Sequence, residues 1–150
     1  MRSVGAAVIL ILFACFPARA DFMNALAAYD AGAYGVAFTE WRRLAEHGDV
    51  DAQVALAGLY EAGLGAPRDD RRAAHWYRTA AERGHVIARL NIGDFYSRGR
   101  GVGLDRVRAW YWLDLAASAG SVWARKRRDE VAARMTPDQI RQAEAMASRH

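Results

Sequence analysis

The sequence predicts an all-α solenoid, a stack of helix pairs, and three observations predict it. The first is an internal echo. Ala52, Leu56, Tyr60, Gly63, Gly65, Asp69, Ala73, Trp76, Ala80, Ala81 and Gly84 recur, each 36 positions later, as Ala88, Ile92, Tyr96, Gly99, Gly101, Asp105, Ala109, Trp112, Ala116, Ala117 and Gly120. The second is spacing: between the glycines, apolar and small residues fall three and four apart, the period of one helical face. The third is the reach of the echo, since Ala37, Ala45 and Gly48 precede Ala73, Ala81 and Gly84 by one period, and Ala124 follows Ala88. A period of this size marks units that bury their apolar faces only against their neighbours.

The elements follow in chain order. Residues 1–20 have the pattern of a signal peptide: Arg2 as the positive start, an apolar run from Val4 to Phe16, and the small-x-small site Ala18-Arg19-Ala20 before Asp21. The run is short for a bilayer span, so membrane contact is expected only transiently, through the leader. Leu12-Phe13-Ala14-Cys15 loosely resembles a lipoprotein cleavage box, but Phe13 and Pro17 suit it poorly and the Ala-x-Ala site is cleaner. The expectation is an exported, periplasmic protein whose mature chain, residues 21–150, is one domain. Arg2 and Arg19 leave with the leader, which takes the formal charge from +4 to +2, too little to imply a polyanionic partner. Cys15, the single cysteine, leaves too, so neither disulfides nor thiol chemistry are expected.

Residues 21–50 form an N-terminal helical pair, Phe22 to Tyr29 and Tyr34 to Glu46, joined by a short turn at Gly32. Residues 51–86 and 87–122 are the two repeats. In the first, Ala52, Leu56, Leu59 and Tyr60 share one helical face, and Gly63 and Gly65 stop that helix, because glycine alone enters the left-handed region without steric cost. Asp69 or Asp70 caps the next helix, where Ala73, Trp76, Tyr77, Ala80 and Ala81 make a stripe that ends at Gly84. Small alanines let the helices approach, and Trp76 and Tyr60 fill the remaining volume. Residues 123–150 are the cap. There Arg128 and Ala132 replace the expected aliphatic and tyrosine positions, and a solenoid end needs such polarity to stay soluble. Thr136-Pro137-Asp138-Gln139 starts a last helix, to about Ser148, that folds back over the final unit.

These residues resemble the Sel-one-like repeat family, a branch of the tetratricopeptide-type helical repeats. The resemblance rests on Ala88, Ile92-Gly93, Tyr96, Gly99-Arg100-Gly101-Val102, Asp105, Ala109, Trp112 and Ala116-Ala117-Ser118-Ala119-Gly120, and covers roughly residues 35 to 125. The first copy departs from the pattern at Ala57 and Ala66. The resemblance implies a right-handed α/α superhelix, and a function in binding protein rather than in catalysis. A second reading also comes with it, because some disulfide-rich members have been described as binding or hydrolysing β-lactams: a cell-envelope hydrolase or accessory for peptidoglycan-type or β-lactam compounds. The Ser-x-x-Lys pair of serine β-lactamases is absent, since the only lysine, Lys126, has Trp123 three positions before it.

The remaining motifs carry little chemistry. His47, His75, His85 and His150 lack metal-ligand spacing, so neither metal nor cofactor is expected. The Gly-x-Gly segments follow helices, not strands, which makes them turns and not nucleotide loops. Arg125-Lys126-Arg127-Arg128 is offset at once by Asp129 and Glu130, and no groove-reading motif points to nucleic acid.

Stacked helix pairs put their first helices on the concave side. Off the packing stripe these present Asp51, Val54, Gly58 and Glu61, then Ile87, Leu90, Asp94, Ser97 and Arg98, then Trp123, Lys126 and Glu130. A shallow mixed surface of this kind suits a protein or peptide segment better than a small substrate. The candidate partner-binding residues are Asp51, Glu61, Leu90, Asp94, Arg98, Trp123 and Lys126.

Overall fold

The computed structural model describes residues 7–149, with side chains from Arg19 onward. Of the expected leader, Arg2 and the first part of the apolar run lie outside the described residues, as do the Cys15 side chain and His150. The described residues form eight α-helices and no strand: α1 (Ala7–Asp30), α2 (Tyr34–Glu46), α3 (Val50–Ala62), α4 (Asp70–Glu82), α5 (Val86–Arg98), α6 (Arg106–Ser118), α7 (Val122–Ala132) and α8 (Pro137–Ala147). Each helix packs on the next up to α7, and α8 turns back onto α6. This is an all-α repeat solenoid with a returning final helix.

Local chemistry sets the repeat boundaries. Asp49, His85 and Ser121, one period apart, are the N-caps of α3, α5 and α7, each accepting from the backbone N–H three residues on. Asp69 and Asp105 do the same for α4 and α6, through the N–H groups of Arg72 and Arg108. At the other end of α3 and α5, Gly63 and Gly99 take left-handed φ of 69° and 67°, which lets the chain reverse. The following residues close the turn, Leu64 N–H donating to Leu59 and Arg100 N–H to Phe95. Thr136 and Gln139 form a complete capping box at α8.

The core is one continuous layer built from these echoes. Ala52, Leu56, Ala73, Ala80, Ala88, Ile92, Ala109 and Ala116 are fully buried, with Tyr60, Tyr77, Phe95 and Tyr96 among them. Even its polar bonds repeat. Gln53 Nε2 donates to the carbonyl of Ala45, and one period on Arg89 Nε donates to that of Ala81, both at 3.2 Å. These bonds tie the ends of α2 and α4 to the first helix of the next unit.

Three expectations need correcting. The first helix is described from Ala7 to Asp30, so it does not start at Phe22 and runs unbroken through the expected cleavage site. Among the described residues no helix is long and apolar enough to cross a membrane. The first helix of the cap, which the sequence spacing predicts over Val122 to Arg134, stops at Ala132. Finally, Trp76 is not a core filler. It is only half-buried, with an edge contact to His75, and Tyr77 takes the interior position. Its echo Trp112 is buried because α8 covers α6, bringing Met146 into the cleft beside it. Among the described residues no element packs on α4 as α8 packs on α6.

Candidate functional site

The predicted residues divide by what they already touch. Glu61, on α3, is engaged within the chain: the buried Tyr77 hydroxyl donates to it at 2.9 Å, and Arg100 Nη1 binds its other oxygen at 2.9 Å. Arg100 comes from the loop of the second repeat and also reaches Asp70 at 3.2 Å, while its guanidinium lies 4.6 Å above the Phe95 ring. Burial pushes the Tyr77 phenol well above its ordinary range, and the adjacent Glu61 carboxylate raises it further. Hydrogen bonds from Arg68 and then Arg100 hold Asp70 below the usual carboxylate value. This cluster ties the two repeats together.

Asp94 and Arg98 pair along α5 at 2.9 Å, and Arg127 of α7 joins the same carboxylate. Asp51 is exposed, 3.4 Å from His85 Nε2. Leu90 is half-buried and packs on the core. Trp123 and Lys126 stand open on α7, Trp123 with 72% of its surface exposed. The structure therefore joins Asp94 and Arg98, engages Glu61 elsewhere, and leaves Trp123 free. The cationic run also splits: Arg127 and Arg128 bind Asp94 and Asp114 across helix boundaries, while Arg125 and Lys126 face solvent.

Columns form along the stack because the period is fixed. Asp51, Ile87 and Trp123 occupy equivalent positions near the starts of α3, α5 and α7, and all three are exposed. Ile87 is open over 56% of its surface, and Val122 beside Trp123 over 70%. The second half of the array thus presents apolar side chains where the first presents a carboxylate. Three side chains outside the predicted set, Arg106, Arg127 and Arg134, line the cleft between α5, α6 and α7. Comparing the two repeats position by position would have exposed Arg106, since its counterpart is Asp70.

On the opposite side, a cleft of about 430 Å³ between α4, α6 and α8 has His75, Thr79 and Glu82 in its lining. Thr79 and His75 do not form a nucleophile–base pair here. Thr79 Oγ1 donates to the carbonyl of His75, not to its ring, and the ring rests against Trp76. Among the described residues no three His, Cys, Asp or Glu side chains gather as a metal would require.

The comparisons agree with this architecture. The Sel1 repeat profile matches residues 50–85 and 86–121. The chain is similar to a protective antigen of uropathogenic Escherichia coli with an SLR fold, at 29% identity and a TM-score of 0.84, over 88% of this chain but 29% of that one. It is similar to a Sel1 repeat protein from Oxalobacter formigenes at 32% identity and a TM-score of 0.69, over 75% of this chain and 88% of that one. Helicobacter pylori cysteine rich protein B shares 25% identity and a TM-score of 0.56, over 59% of this chain and 66% of that one. No curated protein matches the sequence.

Proposed function

This chain belongs to the Sel1 repeat family, and we propose that it is a non-catalytic adaptor or regulator, exported to the cell envelope, that binds a protein partner through its first-helix surface. Sel1 repeats are helical protein-interaction modules, which supports the general class. One observation supports the particular surface: Ile87 and Trp123 stand in one column on adjacent first helices, and both are open to solvent. Large apolar side chains repeated on one face lower the free energy of a complex more than that of the free protein. Asp94, Arg98 and Lys126 on the same first helices supply polar groups beside that column, Asp51 continues it on α3, and Leu90 packs beneath it. The leader pattern of residues 1–20 supports export.

The experiment is capture of a partner from envelope extract by the purified chain and by Ile87→Ser, Trp123→Ala and Arg72→Ala variants. The first two should lose the captured protein and the third should retain it. Equal capture by all three would move binding off this surface. N-terminal sequencing of the exported protein should begin at Asp21; a chain beginning at Met1 would remove the export reading.

A further inference from the structure

A cleft of about 290 Å³ opens between α5, the start of α6 and α7, lined by Ser97, Arg98, Arg106, Arg127, Glu130 and Arg134. Its counterpart one period earlier is filled. There Arg100 lies between Glu61 and Asp70 and over the Phe95 ring. One period on, Ser97 replaces Glu61, Arg106 replaces Asp70 and Val131 replaces Phe95. The filling residue is replaced by Thr136, whose side chain is committed to the cap of α8. The walls have changed from acidic to basic, and the side chain that would close the space is gone.

The charges left in this second cleft are not balanced. Asp94 and Glu130 engage Arg98 and Arg127. Among the described residues neither Arg106 nor Arg134 has an ion pair. Arg106 is also at the first position of α6, where the helix dipole disfavours a cation, and the carboxylate of the N-cap Asp105 beside it is engaged by Arg108.

We propose that this cleft receives a carboxylate side chain from an acidic segment of a protein partner, as the first cleft receives Arg100 with the charges reversed. The inference rests on the protein-binding reading above and assigns a chemistry to the partner. Guanidinium groups suit a carboxylate because their parallel N–H donors match its two oxygens. The space is a recess of side-chain size, whereas lipid headgroups are drawn to open polybasic surfaces.

The test titrates the full chain into a fluorescein-labelled, N-acetylated hexaglutamate peptide and follows anisotropy at low salt. The wild type should bind, more weakly as salt rises. Arg106→Asp and the exposed-site variant Arg134→Ala should each weaken binding about tenfold or more, and Arg72→Ala should not. Circular dichroism checks that each variant is folded, and Arg134→Ala reports even if Arg106→Asp does not fold. Absence of peptide binding, or equal affinity for all folded variants, overturns the proposal. So does arginine-dependent binding to phosphatidylglycerol vesicles with no binding to the peptide, which would assign the cleft to a lipid headgroup. If the peptide fails while Trp123 still governs partner capture, only this inference falls. If the peptide binds and capture does not depend on Trp123, the cleft stands and the apolar column does not.

Discussion

Gly101 lies directly against the backbone of Asp70: a Cβ at position 101 would overlap the carbonyl carbon and oxygen of that residue. Gly65 stands in the same relation to Tyr34, one period earlier on both sides. The second glycine of each loop is therefore a docking point. It lets the turn between two helices settle on the start of the preceding unit's second helix, which sets the spacing of the stack.

Replacing Gly101 by alanine should consequently destabilise the protein by about 2 kcal/mol or more. The site combines a positive φ of 62° with backbone atoms that a side chain cannot displace. Gly103, two residues on, has open space around it and no positive φ, so Gly103→Ala should change stability by less than about 0.5 kcal/mol. Urea denaturation of the two variants makes the comparison. Similar losses would mean that the loop bends to absorb the clash.

The two tryptophans of the echo should respond unequally. Trp112→Ala should cost about 3–5 kcal/mol by opening a cavity beneath α8. Trp76→Ala should cost only about 1–2 kcal/mol, since that ring is half-buried with no helix behind it. Equal denaturation midpoints for the pair would show that α8 contributes little to the burial of Trp112.

Much of this architecture was legible in the sequence because the cause is periodic. Alanines that repeat every 36 residues must face the same neighbour, so the buried set and the Gly-x-Gly turns follow from counting. What escaped counting is where the period is broken by context. Trp76 and Trp112 occupy one register, yet only the latter has α8 over it, and nothing local to Trp76 records that absence. The caps at Asp49, His85 and Ser121 share a register and a bond but not a residue type, so identity alone hides them. Among the candidate site residues, Trp123 and Lys126 lie open as the helical register implies. Glu61 is drawn inward by Arg100, a loop residue whose reach across the repeat boundary depends on the superhelix and not on the spacing within one unit.

The open position of Trp123 carries its own expectation for stability. Trp123→Ala should leave the unfolding free energy within about 0.5 kcal/mol of the wild type, because the ring makes no core contact to lose. Thermal unfolding followed by circular dichroism measures this. A large loss would place the ring in the packing of α7 and remove it as a binding residue.

Asp70 contributes to the acid dependence of the stability. It stands below the usual carboxylate value because Arg68 and Arg100 both donate to its charged form. The unfolded chain lacks those donors, so between the lowered folded value and the ordinary one it binds more protons than the folded chain. Stability therefore rises with pH across that window: the contribution is complete above the ordinary value and is lost as the pH falls through the folded one. Asparagine accepts no charge-assisted bond of that strength. Asp70→Asn should thus be less stable than wild type at neutral pH, and the gap should shrink as the pH falls below the ordinary carboxylate value of about 4 and close once it has passed through the lower folded value. Arg100→Ala, which removes the second donor, should move the Asp70 titration upward toward the ordinary value. Carboxyl-carbon NMR titration together with denaturation at three pH values measures both effects. A gap between wild type and Asp70→Asn that persists undiminished in acid would assign the loss to shape at the start of α4 instead of to charge.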